Sequence, residues 1–96
     1  MNIPTTFKIA GQPWKVEFDN DLLAKDGEYG HCHEVTNTIV LQNSGPIPHE
    51  RVEATFIHEL LHAIFHELGY DNLNTDEKLV NSLSTLLHQV LSNEKN

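Results

Sequence analysis

Apolar and polar residues alternate along the first forty positions, and the period then changes to a helical one. Phe7-Lys8-Ile9 and Trp14-Lys15-Val16-Glu17-Phe18 place apolar side chains at every second position, the signature of half-buried strands. Ala10-Gly11-Gln12-Pro13 between them is a Gly/Pro turn, so the pair predicts a hairpin. Asp19 to Lys25 predicts a short helical turn or an irregular loop, and Asp26-Gly27 a further turn. Tyr29 to Val35 reads as a third strand and Thr38-Ile39-Val40-Leu41-Gln42 as a fourth, joined hairpin-fashion at Thr36-Asn37. Asn43-Ser44-Gly45-Pro46 ends the sheet.

From Pro48 the spacing predicts a long helix over 48–68, with Pro48 in its first turn and Gly69 as its stop. A loop over Tyr70-Asp71-Asn72-Leu73-Asn74 leads to a second helix over 75–92. Its apolar residues, Leu79, Val80, Leu83, Leu86, Leu87, Val90 and Leu91, recur at helical spacing. The tail Ser92-Asn93-Glu94-Lys95-Asn96 is polar and expected to fray. Strands followed by helices predict an α+β fold. A small, mostly antiparallel N-terminal sheet (1–45) and a helical half (46–96) form one domain.

Composition narrows the function classes. The chain has 96 residues and a formal net charge of −8, which argues against direct nucleic-acid binding. No stretch approaches the roughly 18 consecutive apolar residues of a membrane span. The N-terminus lacks the basic and apolar regions of a signal peptide. Cys32 is the only cysteine, so no internal disulfide forms, in keeping with a reducing compartment. A cytoplasmic protein is expected.

The long helix carries the chemistry. Thr55-Phe56-Ile57-His58-Glu59-Leu60-Leu61-His62-Ala63-Ile64 contains His58-Glu59-x-x-His62, an H-E-x-x-H motif. Residues four apart stack on one helix face, so both imidazoles reach one ion. Glu59 is placed to take a proton from water rather than to ligate. At about 100° per residue, with His58 at zero, His62 falls near 40° and Glu59 near 100°. Leu60, Ile64, Ile57, Leu68 and Leu61 fall between about 200° and 300°, which separates packing from site.

The segment Thr55 to Leu91 resembles the small zincin-type metallopeptidases of phages and mobile elements, related in pattern to the ImmA/IrrE group. The resemblance rests on His58-Glu59-Leu60-Leu61-His62-Ala63-Ile64, a short loop, and Asp76-Glu77-Lys78-Leu79-Val80 opening a Leu-rich helix. It covers roughly the last 40 residues. It implies a Zn2+ site with two histidines and a downstream acidic ligand, Glu59 as general base, and a protein or peptide substrate.

Catalytic zinc takes three protein ligands and a water. Candidates for the third are Glu77, Asp76, Asp71, His66, His88 and the cluster His31-Cys32-His33. Glu77 is preferred, in the first turn of the second helix beside its apolar stripe. The competing role for Glu77 is a capping box with Asn74 or Thr75. His66 lies about 12 Å along the axis from His58. A His62/His66 pair would carry Ala63 where the base is needed. His31 and His33 share one strand face, read as an exposed edge with Cys32 buried. His88 reads as a surface residue, and Tyr29 and Tyr70 as packing residues with wet hydroxyls. Thr38 to Gln42 is expected to be an edge strand that holds an extended peptide. Two other readings stay open: a catalytically silent zinc-binding module, and a metal-free phage interaction protein that acts on a host or repressor protein.

Overall fold

A computed structural model describes residues 1–92; of the tail expected to fray, 92–96, Ser92 still belongs to the last helix and 93–96 lie outside the described residues. The element order is β1 (Thr6–Ile9), β2 (Gln12–Phe18), α1 (Leu22–Asp26), β3 (Gly30–His33), β4 (Thr38–Leu41), α2 (His49–Leu68), α3 (Asp71–Asn74) and α4 (Glu77–Ser92). This is the expected α+β arrangement, a four-stranded sheet followed by packed helices.

β1 and β2 form the predicted hairpin, with Ile9 opposite Gln12. That register leaves Ala10 and Gly11 as a two-residue loop, both at positive φ (50° and 80°), the backbone of a type I′ turn. β3 and β4 pair antiparallel with His33 opposite Thr38, and Asn37 takes the left-handed position of the connection (φ 51°). The sheet order is β1-β2-β4-β3, and β2 pairs with β4 in parallel. Two of the three pairings are thus antiparallel, with a parallel pair at the centre. After β2 the chain passes through α1, enters the far edge as β3, and turns back into the middle as β4.

This order corrects one expectation. Thr38–Leu41 is an internal strand with Ile39 and Leu41 fully buried, not the edge that would receive a peptide. Ile39 and Leu41 face α2, while Val40, on the opposite face, is half-buried. The edges are β1 and β3, and the alternate residues of β3 are polar histidines.

α2 lies across the sheet. Trp14, Val16, Ile39 and Leu41 meet Val52, Phe56, Ile57 and Ala63 in one core, and Phe7 stands edge-on to Phe56 at 6.1 Å. Ile57 and Leu61 are buried as the helical wheel required, whereas Leu68 at the helix end is 53% exposed. Gly69 terminates α2 at φ 76° in a Schellman motif: its N–H donates to the His66 carbonyl (3.1 Å) and that of Tyr70 to the Phe65 carbonyl (2.9 Å). Pro48 is the N-cap residue, one position earlier than expected. The expected loop 70–74 contains a helical turn, α3, so the last helix begins at Glu77 rather than 75. α4 packs along α2 and buries Val80 and Ser84. Among the described residues no helix is long and apolar enough to cross a membrane.

Candidate metal centre

α2 presents His58 and His62 one turn apart, with ring centroids 5.0 Å from each other. α4 brings the third group. The His62 Nε2 lies 3.2 Å from one Glu77 oxygen, and the His58 Nε2 lies 3.6 Å from the other. One ligand atom from each of the three lies within 4.8 Å of the other two, the one such group of His, Cys, Asp or Glu among the described residues. Tetrahedral zinc with bonds near 2.0–2.1 Å separates its ligand atoms by about 3.3 Å. The two imidazole–carboxylate distances are close to that spacing, and the widest separation, at most 4.8 Å, would close by up to about 1.5 Å around such an ion. Both histidines are largely enclosed, while Glu77 is exposed.

The other candidates have different partners. Asp76 accepts a hydrogen bond from the Leu79 N–H (3.1 Å) and caps α4, so the capping role expected of Asn74 or Thr75 with Glu77 falls to Asp76. Glu77 is thereby free to face α2. Asp71 opens α3 and is exposed. His66 pairs with Glu34 at 3.0 Å. The His31 and His33 rings lie 4.3 Å apart and tilted by 59°, and His31 pairs with Glu28. They point to the sheet face away from α2, because Gly30 and Cys32 occupy the near face. Cys32 is partly buried, and burial first, then the nearby Glu59 and Glu34 carboxylates, push its thiol up to about 12. His88 corrects its expected surface role: it is mostly enclosed and bonds Glu53 at 2.9 Å. Tyr70 is exposed, and Tyr29 packs under Arg51.

Two residues without a motif complete the surroundings. The Asn74 Oδ1 lies 2.6 Å from the His62 Nδ1. A carboxamide oxygen only accepts, so Nδ1 carries the proton and Nε2 keeps its lone pair toward Glu77. Asn74 in turn donates to Glu34 at 3.4 Å, and Glu34 reaches His66, so α3, the β3–β4 turn and α2 are tied together beside the site. Burial, followed by the neighbouring His62, lowers the His58 pKa against the opposing influence of Glu77 and of Asn81, which favours the neutral imidazole that a ligand needs. Nothing in a lone Asn after a helix stop points to such a role. Only the fold brings Asn74 to His62.

Glu59 stands one residue on, over the edge strand. Burial dominates its environment and raises its carboxyl to about 7, against an opposing pull from His62 and His31. Gly30 makes this approach possible: a Cβ there would overlap the Thr55 methyl and meet the Glu59 Cγ at 3.3 Å. A cleft of about 680 Å³ opens beside His58 and Glu59, between the start of β3, α2 and α4. Comparison with protein-family models, curated proteins and solved structures finds no match.

Proposed function

We propose that the chain is a zinc-dependent metallopeptidase of the zincin type, with His58, His62 and Glu77 as ligands and Glu59 as general base. The observation that carries this reading is the convergence of a Glu from α4 on the two motif histidines, at ligand spacing, with a buried carboxyl alongside. Zinc at such a site supplies Lewis-acid polarisation of a carbonyl and of a water. The remaining work belongs to the chain. Asn74 holds the His62 imidazole with Nε2 toward Glu77, and Asn81 stands beside His58. The Glu59 carboxylate accepts the water proton on an oxygen and returns it to the nitrogen of the leaving amine. A carboxyl whose pKa lies near neutrality is suited to both halves of that transfer.

The peptide would lie on the open edge of β3. The Tyr29 carbonyl accepts from the Gln42 N–H (3.0 Å), so by antiparallel alternation Gly30 and Cys32 turn their N–H and C=O groups outward. Those groups are free to pair with an added strand next to the site.

Glu59→Gln tests the reading. The variant should retain zinc at the wild-type stoichiometry and lose about 100-fold or more of peptide-bond cleavage, measured on zinc-loaded protein with a mixture of unstructured peptides. Equal cleavage by the variant would refute the assigned base. A second reading is a zinc staple without activity, favoured by the origin of Glu77 on a separate helix from the histidines. It predicts zinc-dependent stability with no cleavage by either protein.

A further inference from the structure

Arg51 is the only arginine in the chain, and it stands in the cleft beside the histidine site. Its guanidinium lies 4.7 Å from the centroid of the Tyr29 ring. In a chain with 14 acidic residues, no carboxylate among the described residues pairs with it. Of the carboxylates lining the cleft, Glu28 pairs with His31 at 3.2 Å. Arg51 also sits in the first turn of α2, where a cation opposes the helix dipole. Its position is therefore not explained by helix stability or by ion pairing. A guanidinium fixed by stacking keeps its in-plane donors available as a fork, the geometry that grips a carboxylate.

The direction of β3 places this fork relative to a bound peptide. Tyr29 lies under Arg51, the face of Gly30 meets Thr55 and Glu59, and Glu34 reaches His66, so β3 and α2 run the same way. A peptide added antiparallel to β3 has its C-terminal side at the Tyr29–Arg51 end. Arg51 lies seven residues before His58 and eleven before His62, which is about 10 to 16 Å along the helix axis. At about 3.4 Å per extended residue, that distance is three to five residues of peptide.

From this juxtaposition we infer that Arg51, held by Tyr29, is a subsite for a peptide carboxylate on the C-terminal side of the scissile bond. The carboxylate is either the end of the chain or an Asp or Glu side chain three to five residues on. The inference rests on the proposed peptidase reading and names the substrate class of that site. Without Arg51, Glu28 and Glu50 would leave this end of the cleft negative, favouring neutral or cationic peptides.

The sole arginine gives a single side-chain Nε–H resonance, which allows a test that does not depend on cleavage. Isotopically labelled Glu59→Gln protein, with and without added zinc, is titrated with three acetylated penta-alanine probes. One ends in a free carboxylate, one in an amide, and one in an amide with Glu at position four. Occupancy of the edge is read from the Gly30 amide and carboxylate contact from the Arg51 Nε–H. Both carboxylate probes should bind about tenfold more tightly than the neutral amide. They alone should move the Arg51 signal, and the tighter of the two identifies chain end or side chain. Arg51→Gln should abolish the preference, and Tyr29→Leu should weaken it. Equal binding of all three probes, an unmoved Nε–H while Gly30 shifts, or no binding by any probe would each overturn the inference. Failure of the peptidase reading registers separately, as missing zinc or missing Glu59-dependent cleavage.

Discussion

At the scale of single residues, the site depends on which nitrogen of each imidazole is free. Asn74 accepts from the His62 Nδ1 and so leaves Nε2 free for the proposed ion. Losing such a partner typically weakens metal affinity about 10- to 100-fold. Asn74→Leu should therefore lower zinc affinity in that range, measured by competition with a chelator. Asn74→Asp, which still accepts from Nδ1–H, should restore most of it. An unchanged affinity in Asn74→Leu would show that His62 is oriented by packing alone. None of this was legible in the sequence, because Asn74 belongs to no motif and reads as a loop or cap residue. His58, Glu59 and His62 were legible because their spacing, set on one face of an apolar helix, is itself the geometry. Glu77 lies between these cases. Its place in the first turn of α4 made it a candidate, but only the capping of α4 by Asp76 shows why its carboxylate is free to turn to α2.

At the scale of elements, local pattern located every strand and both long helices, but not the turn bounds: Gln12 and Pro13 belong to β2 rather than to the turn, and β3 ends at His33, so the expected strand residue Val35 lies exposed in a four-residue connection, 34–37. It did not determine how the hairpins join. The parallel β2–β4 pairing is a long-range choice, and alternation within Val16 or Ile39 neighbourhoods is the same for either direction. The misplaced edge followed from this, since an edge is a property of sheet order rather than of one strand. The first hairpin offers a clean test of local strain. Ala10 adopts φ 50°, where a Cβ costs roughly 1 kcal/mol or more. Ala10→Asn, which suits the first position of a type I′ turn, should stabilise the protein by about 1 kcal/mol in urea unfolding. A loss of stability would mean that the turn is not of this type in solution.

At the scale of the whole molecule, the helical layer is joined by one buried carboxylate. Glu53 on α2 is 5% exposed and meets His88 on α4 at 2.9 Å, His49 at 3.2 Å and the Met1 ammonium at 2.9 Å. Burial pushes its carboxyl up, but the hydrogen bonds from His88 and the ammonium together outweigh burial and leave it below the ordinary carboxylate range. A carboxyl lowered by folding stabilises the native state above its unfolded pKa, and that contribution is lost as pH falls through the folded value. Wild-type stability should therefore drop on acidification below about pH 4.5, the ordinary Glu range. Glu53→Gln should be less stable by about 2 kcal/mol at pH 7, the worth of a hydrogen bond to a charged group, with a shallower acid slope. Parallel pH–stability curves for the two proteins would refute the assignment. The chain's net charge of −8 makes such internal neutralisation, and the lone cation of the cleft, stand out against an acidic background.

In the proposed site α2 and α4 together bind zinc through His58, His62 and Glu77. The most direct measurement is the zinc content and affinity of the purified chain beside His58→Ala and Glu77→Ala. One zinc per chain is expected, lost in His58→Ala and strongly weakened in Glu77→Ala while both variants keep their folded spectra. Absence of zinc after reconstitution, or unaltered binding in Glu77→Ala, would contradict it.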